Sequence, residues 1–365
     1  MKFSATRETI LQPLQAVIGV VERRQTMPIL SNVLLKVDNA NLSVTATDLE
    51  VELVANAAVD VDTFGEITVP GRKLHDICRA LPEGSQVDVS LSGERVTIKS
   101  GRSRFTLATL SAADFPLVDD IAVQQTIRLP QTDLDRLLEK TQFSMAQQDV
   151  RYYLNGLLLE LDGSTLRAVA TDGHRLALAQ MQLDGGKGRE TQVIVPRKGV
   201  LELSRLLGEK GEVTLTIGAN HLRAELDGIR FTSKLIDGRF PDYGRVVPEH
   251  PANMLTAGRS VLREALQRAS ILSNEKYRGV RLELGQDSIV IQANNPEQEE
   301  AVETLEVQYS GEAMEIGFNV NYLLDALGAV EGASVELGVT DGNSSCLITA
   351  PGNKDTKYVV MPMRL

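Results

Sequence analysis

LLKVDNANLSVTATDLEVEL (residues 34–53) reappears in the same chain as LLLELDGSTLRAVATDGHRLAL (157–178) and again as VRLELGQDSIVIQANNPEQEEA (280–301). Each copy joins an apolar run to a polar turn, and the turn residues Asp48, Asp172 and Asn295 stand 124 and 123 positions apart. A second landmark follows: ITVPGRKLHDICRAL (67–81), VIVPRKGVLELSRLL (193–207) and IGFNVNYLLDALGAV (316–330) put Pro70, Pro196 and Val320 at spacings of 126 and 124. A third is Phe115-Pro116, Phe240-Pro241 and Met361-Pro362, 125 and 121 apart. Three landmarks share one period, so the chain reads as three tandem copies of one unit. The copies are expected at 1–124, 125–251 and 252–365. The polar stretches near 118–127 and 247–254, interrupted by Asp119-Asp120 and by Pro248 with Pro251, are the expected linkers.

Within a copy the apolar spacing alternates between two periods. Leu74, Ile77, Cys78 and Leu81 recur at helical intervals, as do Val320, Leu323, Leu324 and Leu327, with Val200, Leu203 and Leu207 on the same face. A second helix opens each copy, carried by Ile10, Leu11, Leu14, Val17, Ile18 and Val21, by Leu134, Leu137, Leu138 and Thr141, and by Val261, Leu262, Ala265, Leu266, Ala269 and Leu272. The predicted helical spans are 5–21, 71–81, 130–145, 196–207, 258–273 and 317–330. Elsewhere the period is two, as in Val87, Val89, Leu91, then Val213, Leu215, Ile217, then Val335, Leu337, Val339. The fold class that follows is α+β, with two helices and antiparallel sheet in each of three domains and the helices on one face of the sheets.

Composition excludes several classes of protein. An apolar share of 42% with 24% charged residues describes a globular chain and not a disordered or fibrous one. No apolar run reaches the length that spans a bilayer, and MKFSATRETILQPL lacks a secretory pattern, so a cytoplasmic location is expected. Cys78 and Cys346 fall in apolar helical and strand patterns and read as reduced core thiols. A net charge of −11 argues against holding nucleic acid by bulk positive charge.

The search for chemistry yields little. Thr171-Asp172-Gly173-His174-Arg175 is the most enzyme-like string, but an Asp-Gly before a basic pair reads first as a turn. No G-x-S-x-G elbow occurs, and His75, His174, His221 and His250 lack metal-ligand spacing. Gly185-Gly186-Lys187-Gly188 lacks the phosphate-loop register and reads as a hairpin loop. No catalytic residue, metal or cofactor is expected. An enzyme with Asp172, His174 and Arg175 at its site is the alternative reading, and a non-ring scaffold of tandem modules a third.

Differences among the copies carry more information. Thr47-Asp48-Leu49-Glu50 and Asn294-Asn295-Pro296-Glu297 correspond to a turn that continues as Gly173-His174-Arg175-Leu176 in the second copy, which is therefore specialised. The apolar terminus VVMPMRL (359–365) is expected to pack on the body or to complete a strand. The six predicted helices together carry a net +4 while the rest of the chain carries −15, which supports a basic helical face. Arg95, Lys99, Arg102 and Arg104 cluster in the first copy, and Glu297, Glu299, Glu300, Glu303 and Glu306 in the third, an asymmetry that invites head-to-tail pairing.

RYYLNGLLLEL (151–161), ATDGHRLAL (170–178), VPRKGVLEL (195–203), FTSKLIDGRFPDY (231–243), ILSNEKYRGVRL (271–282), NNPEQEEA (294–301) and YVVMPMRL (358–365) closely resemble the bacterial DNA polymerase III beta-subunit family of replicative sliding clamps, over essentially the whole chain. The resemblance implies a non-catalytic head-to-tail homodimer, closed as a ring of six domains with sheets outside and helices lining a hole that holds double-stranded DNA. Such a ring tethers polymerases without gripping the template, which suits an acidic chain with a modestly basic lining. It implies DNA contacts at Arg24, Lys73, Gln148, Tyr152, Tyr153 and Lys198. It implies a groove for short peptides of polymerases and the clamp loader at Leu154, Thr171, Gly173, His174, Arg175, Leu176, Pro241, Arg245, Val246, Asn319, Tyr322, Ser345, Val359, Met361, Pro362, Met363 and Arg364. Asn343 replaces the apolar residue expected beside that groove. The implied dimer contact is Phe105 and Leu107 against Ile271 and Leu272, ringed by Lys73, Arg95, Arg102 and Arg104 facing Glu297, Glu299, Glu300 and Glu303.

Overall fold

The computed structural model describes residues 1–21, 27–118, 120–184 and 189–364. Arg24, Asp119, the loop Gly185-Gly186-Lys187-Gly188 and Leu365 lie outside the described residues. Six α-helices occur among those described: α1 (Arg7–Val17), α2 (Gly71–Ala80), α3 (Gln131–Glu139), α4 (Arg197–Leu206), α5 (Arg259–Ser270) and α6 (Val320–Ala329). All strand pairings described are antiparallel. The chain divides into two compact units, one of Met1–Leu134 with Lys198–Leu235 and one of Asp135–Arg197 with Ile236–Leu365.

The sheets do not stop where the repeats do. In the first unit, the strands Val123–Pro130, Glu212–Gly218, His221–Leu226 and Ile229–Lys234 of the second repeat continue into Val51–Ala58, Asn41–Thr47, Asn32–Asp38 and Gly65–Pro70 of the first, making one eight-stranded sheet. The joint is the pairing of Phe231 with Leu53 and Ser233 with Val51. In the second unit, Arg175–Gln182 pairs in the same way with Thr356–Val360, setting Leu176 opposite Val359, so the second repeat continues into the third. The sequence pattern identified the strands and not these pairings, because pairing across repeats leaves no local periodicity.

Two smaller sheets have free outer strands. One runs Asp60–Thr63, Lys2–Thr6, Gln86–Ser92, Arg95–Ser100, Ser103–Ala108; the other runs Glu300–Glu306, Ser288–Asn294, Gly279–Gly285, Met314–Asn319. In the first unit α1 lies on Asn41–Thr47 and Val51–Ala58 and beside α2; in the second, α5 lies on Ser288–Asn294 and Glu300–Glu306 and beside α6. The apolar face read from the spacing is for the most part the buried one, Val261 being exposed and Leu272 half-buried. Leu262, Ala265, Leu266 and Ala269 of α5 meet Val320, Leu323, Ala326 and Leu327 of α6 over Val280, Ile289, Ile291 and Phe318. Each fully buried aliphatic side chain of this kind contributes about 1.5–3 kcal/mol.

Three helices are shorter than their apolar spacing predicted. Past α1, Val20 and Val21 donate to Val17 and Ile18; past α3, Ser144 and Met145 donate to Thr141 and Gln142; past α5, Ile271 and Leu272 donate to Arg268 and Ala269. The winding tightens to i→i−3 bonds while side chains such as Val20, Val21 and Met145 stay buried, so hydrophobic periodicity outlasts the α-helix. At Gly19 the Glu202 carboxylate and Arg205 guanidinium sit where a Cβ would be, and Arg205 Nη2 donates to the Ala16 carbonyl at 2.7 Å.

The first residue of each repeat's opening helix ties down the end of another helix. Arg7 donates to the Cys78 and Arg79 carbonyls, both at 3.0 Å, and Arg259 to Leu327 at 3.4 Å and Val330 at 3.0 Å. A guanidinium there answers orphan carbonyls and the negative end of the helix dipole. In the middle repeat the position is Gln131, whose Oε1 accepts from Gly208 N–H at 2.8 Å just beyond α4.

Cys78 and Cys346 are both buried and unpaired, and burial pushes both thiols up to about 12. A thiol-reactive dye at pH 8 is expected to count neither cysteine in the native protein and both after denaturation. Labelling of either in the native protein would contradict the packing described.

Candidate functional site

The turn that distinguishes the second repeat is built by its own side chains. Thr171 Oγ1 donates to the Arg175 carbonyl at 2.6 Å and accepts from Gly173 N–H at 3.1 Å. Asp172 Oδ1 accepts from His174 N–H at 2.9 Å and Arg175 N–H at 3.0 Å, while Asp172 Oδ2 takes Arg175 Nε at 3.1 Å. Both carboxylate oxygens are thus occupied in folding the turn, and His174 stands exposed beside them. The string that looked most enzyme-like is a turn whose charged groups hold one another.

Arg175 is the hub of this region. Its Nη1 meets Asp325 of α6 at 2.5 Å, its Nη2 donates to the Phe143 carbonyl at 2.7 Å, and its guanidinium lies 4.6 Å from the Tyr322 ring centroid and 5.5 Å from that of Phe143. A planar cation between two aromatic faces gains from both the ring quadrupoles and the fixed fork of donors. The C-terminal segment closes on the same turn: Met361 N–H donates to the His174 carbonyl at 2.9 Å and Met363 N–H to the Gly317 carbonyl at 2.8 Å. Strand Thr356–Val360 together with these two clasps realises both readings of the terminus, a completed strand and a packed tail.

Beside the turn lies an apolar cluster of Leu158, Val169, Leu176, Leu178, Ile194, Phe240, Leu347 and Val359, with Tyr153, Ile236, Tyr243, Val246 and Val247 packed at its margin. Of the residues named from the resemblance, Leu176, Val246 and Val359 belong to it, and Thr171, Gly173, His174, Arg175 and Met361 meet at the adjoining turn, whereas Tyr322 packs on the α5–α6 core and touches the turn through Arg175, and Met363 is held by Gly317. Pro362 is half-buried and Arg364 exposed in that tail. Leu154 is 1% exposed, a core residue. Pro241 and Arg245 are exposed, Arg245 pairing with Asp242 at 2.9 Å. Asn319 caps α6 through Asn321 N–H at 3.0 Å, Ser345 is half-buried, and Asn343 is exposed in the turn ahead of Cys346–Thr349.

Sequence reasoning missed the supports of this site. Tyr243 Oη donates to Glu160 Oε2 at 2.6 Å, and Arg167 Nη1 meets Glu160 Oε1 at 3.0 Å. Burial and this bond push the Tyr243 phenol up to about 12. Asp149 receives three donors from Arg151, Nε at 3.0 Å, Nη2 at 2.9 Å and the backbone N–H at 2.7 Å, which hold its carboxyl down to about 2. Arg151 Nη2 also reaches the Asp172 carbonyl at 3.3 Å and lies over Gly173, whose φ is +88°; a Cβ there would meet the guanidinium at 2.8 Å. The period-two position of Glu160 and the Asp-x-Arg spacing of 149 and 151 were the available signals.

The residues named as DNA contacts fall in different settings. Lys73 is exposed on α2. Gln148 and Tyr152 are exposed, Gln148 at φ +58°, whereas Tyr153 is half-buried at the apolar cluster, its ring edge-on to Tyr152 with centroids 5.9 Å apart. Lys198 is half-buried and ion-paired to Asp48. Arg24 lies outside the described residues.

Arg95, Arg102 and Arg104 are exposed along the free edge that ends in Ser103–Ala108, with Phe105 and Leu107 half-buried between them. On the other free edge Glu300 is exposed, Glu297 and Glu299 are exposed in the turn before it, and Val302 is 55% exposed. Ile271 is 75% exposed just past α5, with Leu272 half-buried. Glu303, read as facing another chain's arginines, is already held by Arg268 of its own chain in a fork of two 2.8 Å bonds.

Sequence profiles of three domains match in order along the chain: the DNA polymerase III beta subunit N-terminal domain over residues 1–119, the central domain over 128–242 and the C-terminal domain over 244–364. A beta sliding clamp of Pseudomonas putida is 55% identical over 367 aligned positions, covering 100% of both chains, and that of Escherichia coli K12 is 54% identical over the same span. The crystal structure of the DNA polymerase III subunit beta from Pseudomonas aeruginosa superposes with a TM-score of 0.97 at 53% identity, again covering 100% of both chains. Threefold repetition, the strand-sharing sheets and full-length likeness lead to one conclusion: the chain belongs to the DNA polymerase III beta-subunit family, the bacterial sliding clamps.

Proposed function

We propose that two copies of this chain join head to tail into a ring that encircles double-stranded DNA and tethers polymerases to it without catalysing a reaction. The observation that carries the reading is a junction made twice within the chain and left half-made at each end. Ile229–Lys234 pairs with Val51–Ala58, and Thr356–Val360 pairs with Arg175–Gln182. By the repeat spacing, the remaining counterparts of these strands are Ser103–Ala108 and Glu300–Glu306, each an outer strand of one of the smaller sheets. Among the described strands that third junction is not made within the chain, and a second copy supplies each missing half. An unpaired strand is a template for another chain, and the basic and acidic edges are complementary.

The register follows from the finished junctions. Thr232 opposes Glu52 and Phe231 opposes Leu53, so Thr106 should face the partner subunit's Glu300, with Phe105 beside it near Ile271 and Leu272 of the other copy. Three domains, at 1–124, 125–251 and 252–365 with two helices each, then give six junctions in the pair, and an average turn of about 60° per junction closes the ring. The sheets run round the outside, and the helices, net basic in an acidic chain, line the hole. Arg24, Lys73, Gln148, Tyr152, Tyr153 and Lys198 touch the passing duplex, with Tyr152 the exposed ring of the tyrosine pair.

The apolar cluster at Leu176 and Val359, rimmed by the Met361–Arg364 tail, receives short apolar-anchored peptides of polymerases and of the clamp loader. The protein needs no cofactor or metal, and it works in the cytoplasm, where unpaired thiols stay reduced. Among the described residues no helix is long and apolar enough to cross a membrane.

Two experiments test this reading. Replacing Ile271 and Leu272 together by alanine should weaken the dimer at least about a hundredfold, since central apolar anchors dominate such interfaces. Sedimentation at low concentration then shows monomer, and an undiminished dimer would refute the interface. Deleting residues 361–365 should abolish binding of a polymerase peptide in a titration while sedimentation still reports dimer. Unchanged peptide affinity would refute the groove.

A further inference from the structure

The first unit holds a second version of the turn that borders the proposed peptide groove of the second. Thr47 Oγ1 donates to the Val51 carbonyl at 3.0 Å and accepts from Leu49 N–H at 3.1 Å, and Asp48 Oδ1 accepts from Glu50 and Val51 N–H at 2.9 and 2.7 Å. These are the bonds of Thr171 and Asp172 at a spacing of 124. The backbone frame is therefore repeated, and only the side chains that line it differ. Where the second unit has Leu176, Ile194 and Val359, the equivalent places hold Glu52, Thr68 and Thr232.

The segment that follows each repeat is anchored differently in the two places. Phe115 and Phe240 are equivalent and both are buried. Three residues on, Tyr243 bonds Glu160, whereas Val118 N–H donates to Glu52 Oε2 at 2.9 Å. Glu160 stands two strands away from Leu176 and, being level with Arg167 and Gln180, four residues along from it. Its counterpart in the first repeat is Lys36, an exposed residue that offers no carboxylate. In the second unit the segment is thus held through Glu160 at the margin of the cluster, and in the first it is held at the place equivalent to Leu176 itself.

We propose that the hollow of the first unit is a closed copy of the peptide groove, and that Glu52 shuts it by holding the 115–118 segment over the position that Leu176 occupies in the open one. Glu52 is 1% exposed, and its nearest cation, Arg230, is 3.8 Å away. A buried carboxylate at that place repels an apolar anchor and takes the segment's N–H as its ligand. The chain therefore presents one receptor groove instead of two, a specificity that rests on the peptide-groove reading above.

The test has two readouts. Hydrogen exchange of the Val118 amide should accelerate at least about tenfold in Glu52→Leu and stay unchanged in Glu52→Gln, which keeps an acceptor oxygen. If Glu52→Leu does not fold, Glu52→Asp, which withdraws the carboxylate by one methylene, should show the same acceleration. Unchanged exchange in the folded variant would overturn the role of Glu52. Titration with a synthetic peptide carrying two leucine anchors should give one site per chain in the native protein and two in Glu52→Leu/Thr68→Ile/Thr232→Val. One site in that folded triple variant would overturn the closed-copy proposal. Absence of binding to the native protein would instead strike the groove reading, leaving the Val118 exchange to decide the latch.

Discussion

Backbone pairing across repeat boundaries is the constraint on which the rest of this protein depends. A strand that hydrogen-bonds to its neighbour fixes both register and face, because a slip of one residue would turn every side chain over. Phe231 against Leu53 and Leu176 against Val359 therefore lock each repeat to the next within its unit. Ser103–Ala108 and Glu300–Glu306, by contrast, are each paired on one side only among the described strands. Exposed arginines and glutamates lie along these two strands, with Phe105 and Leu107 half-buried and Ile271 exposed.

Each junction also creates a place beside it. In the second unit the place is apolar because Leu176, Leu178, Leu347 and Val359 point the same way from three adjacent strands, and it is held in shape by a polar frame of Asp172, Arg175, Asp325 and Tyr322. The two sets of residues differ in their contacts: the charged residues of the Thr171–Arg175 turn bond one another and Asp325, and the aliphatic residues form the apolar cluster. This is why a string with histidine, aspartate and arginine in sequence has the look of an active site and the bonding pattern of a scaffold.

Much of this was legible in the residues. The three landmarks disclosed the repeat, and helical spacing disclosed the buried faces of α2, α5 and α6 apart from the exposed Val261, whereas the turn at Gly173, altered in its residues, keeps the bonds of the turn at Leu49. What escaped was of three kinds. The strand pairings between repeats escaped because they are long-range. The helix ends at Val17, Glu139 and Ser270 were overshot because apolar side chains continue inward through tighter turns. The ties made by Arg7, Arg259, Glu160 and Glu52 escaped because a charged residue in a strand or first helical turn has the same local signature whether it faces water or a buried partner. Tyr153 illustrates the last point: its neighbour Tyr152 is exposed, and nothing in the dipeptide tells which ring turns inward.

A closed ring holds its DNA by topology, a claim separable from affinity because salt screens phosphate contacts and leaves a link intact. The most direct measurement follows the protein after the clamp loader has placed it on nicked circular DNA in high salt, before and after a single cut linearises the circle. Retention on the circle followed by loss from the linear molecule is the predicted result. Equal loss from both forms, or retention on both, would contradict encirclement.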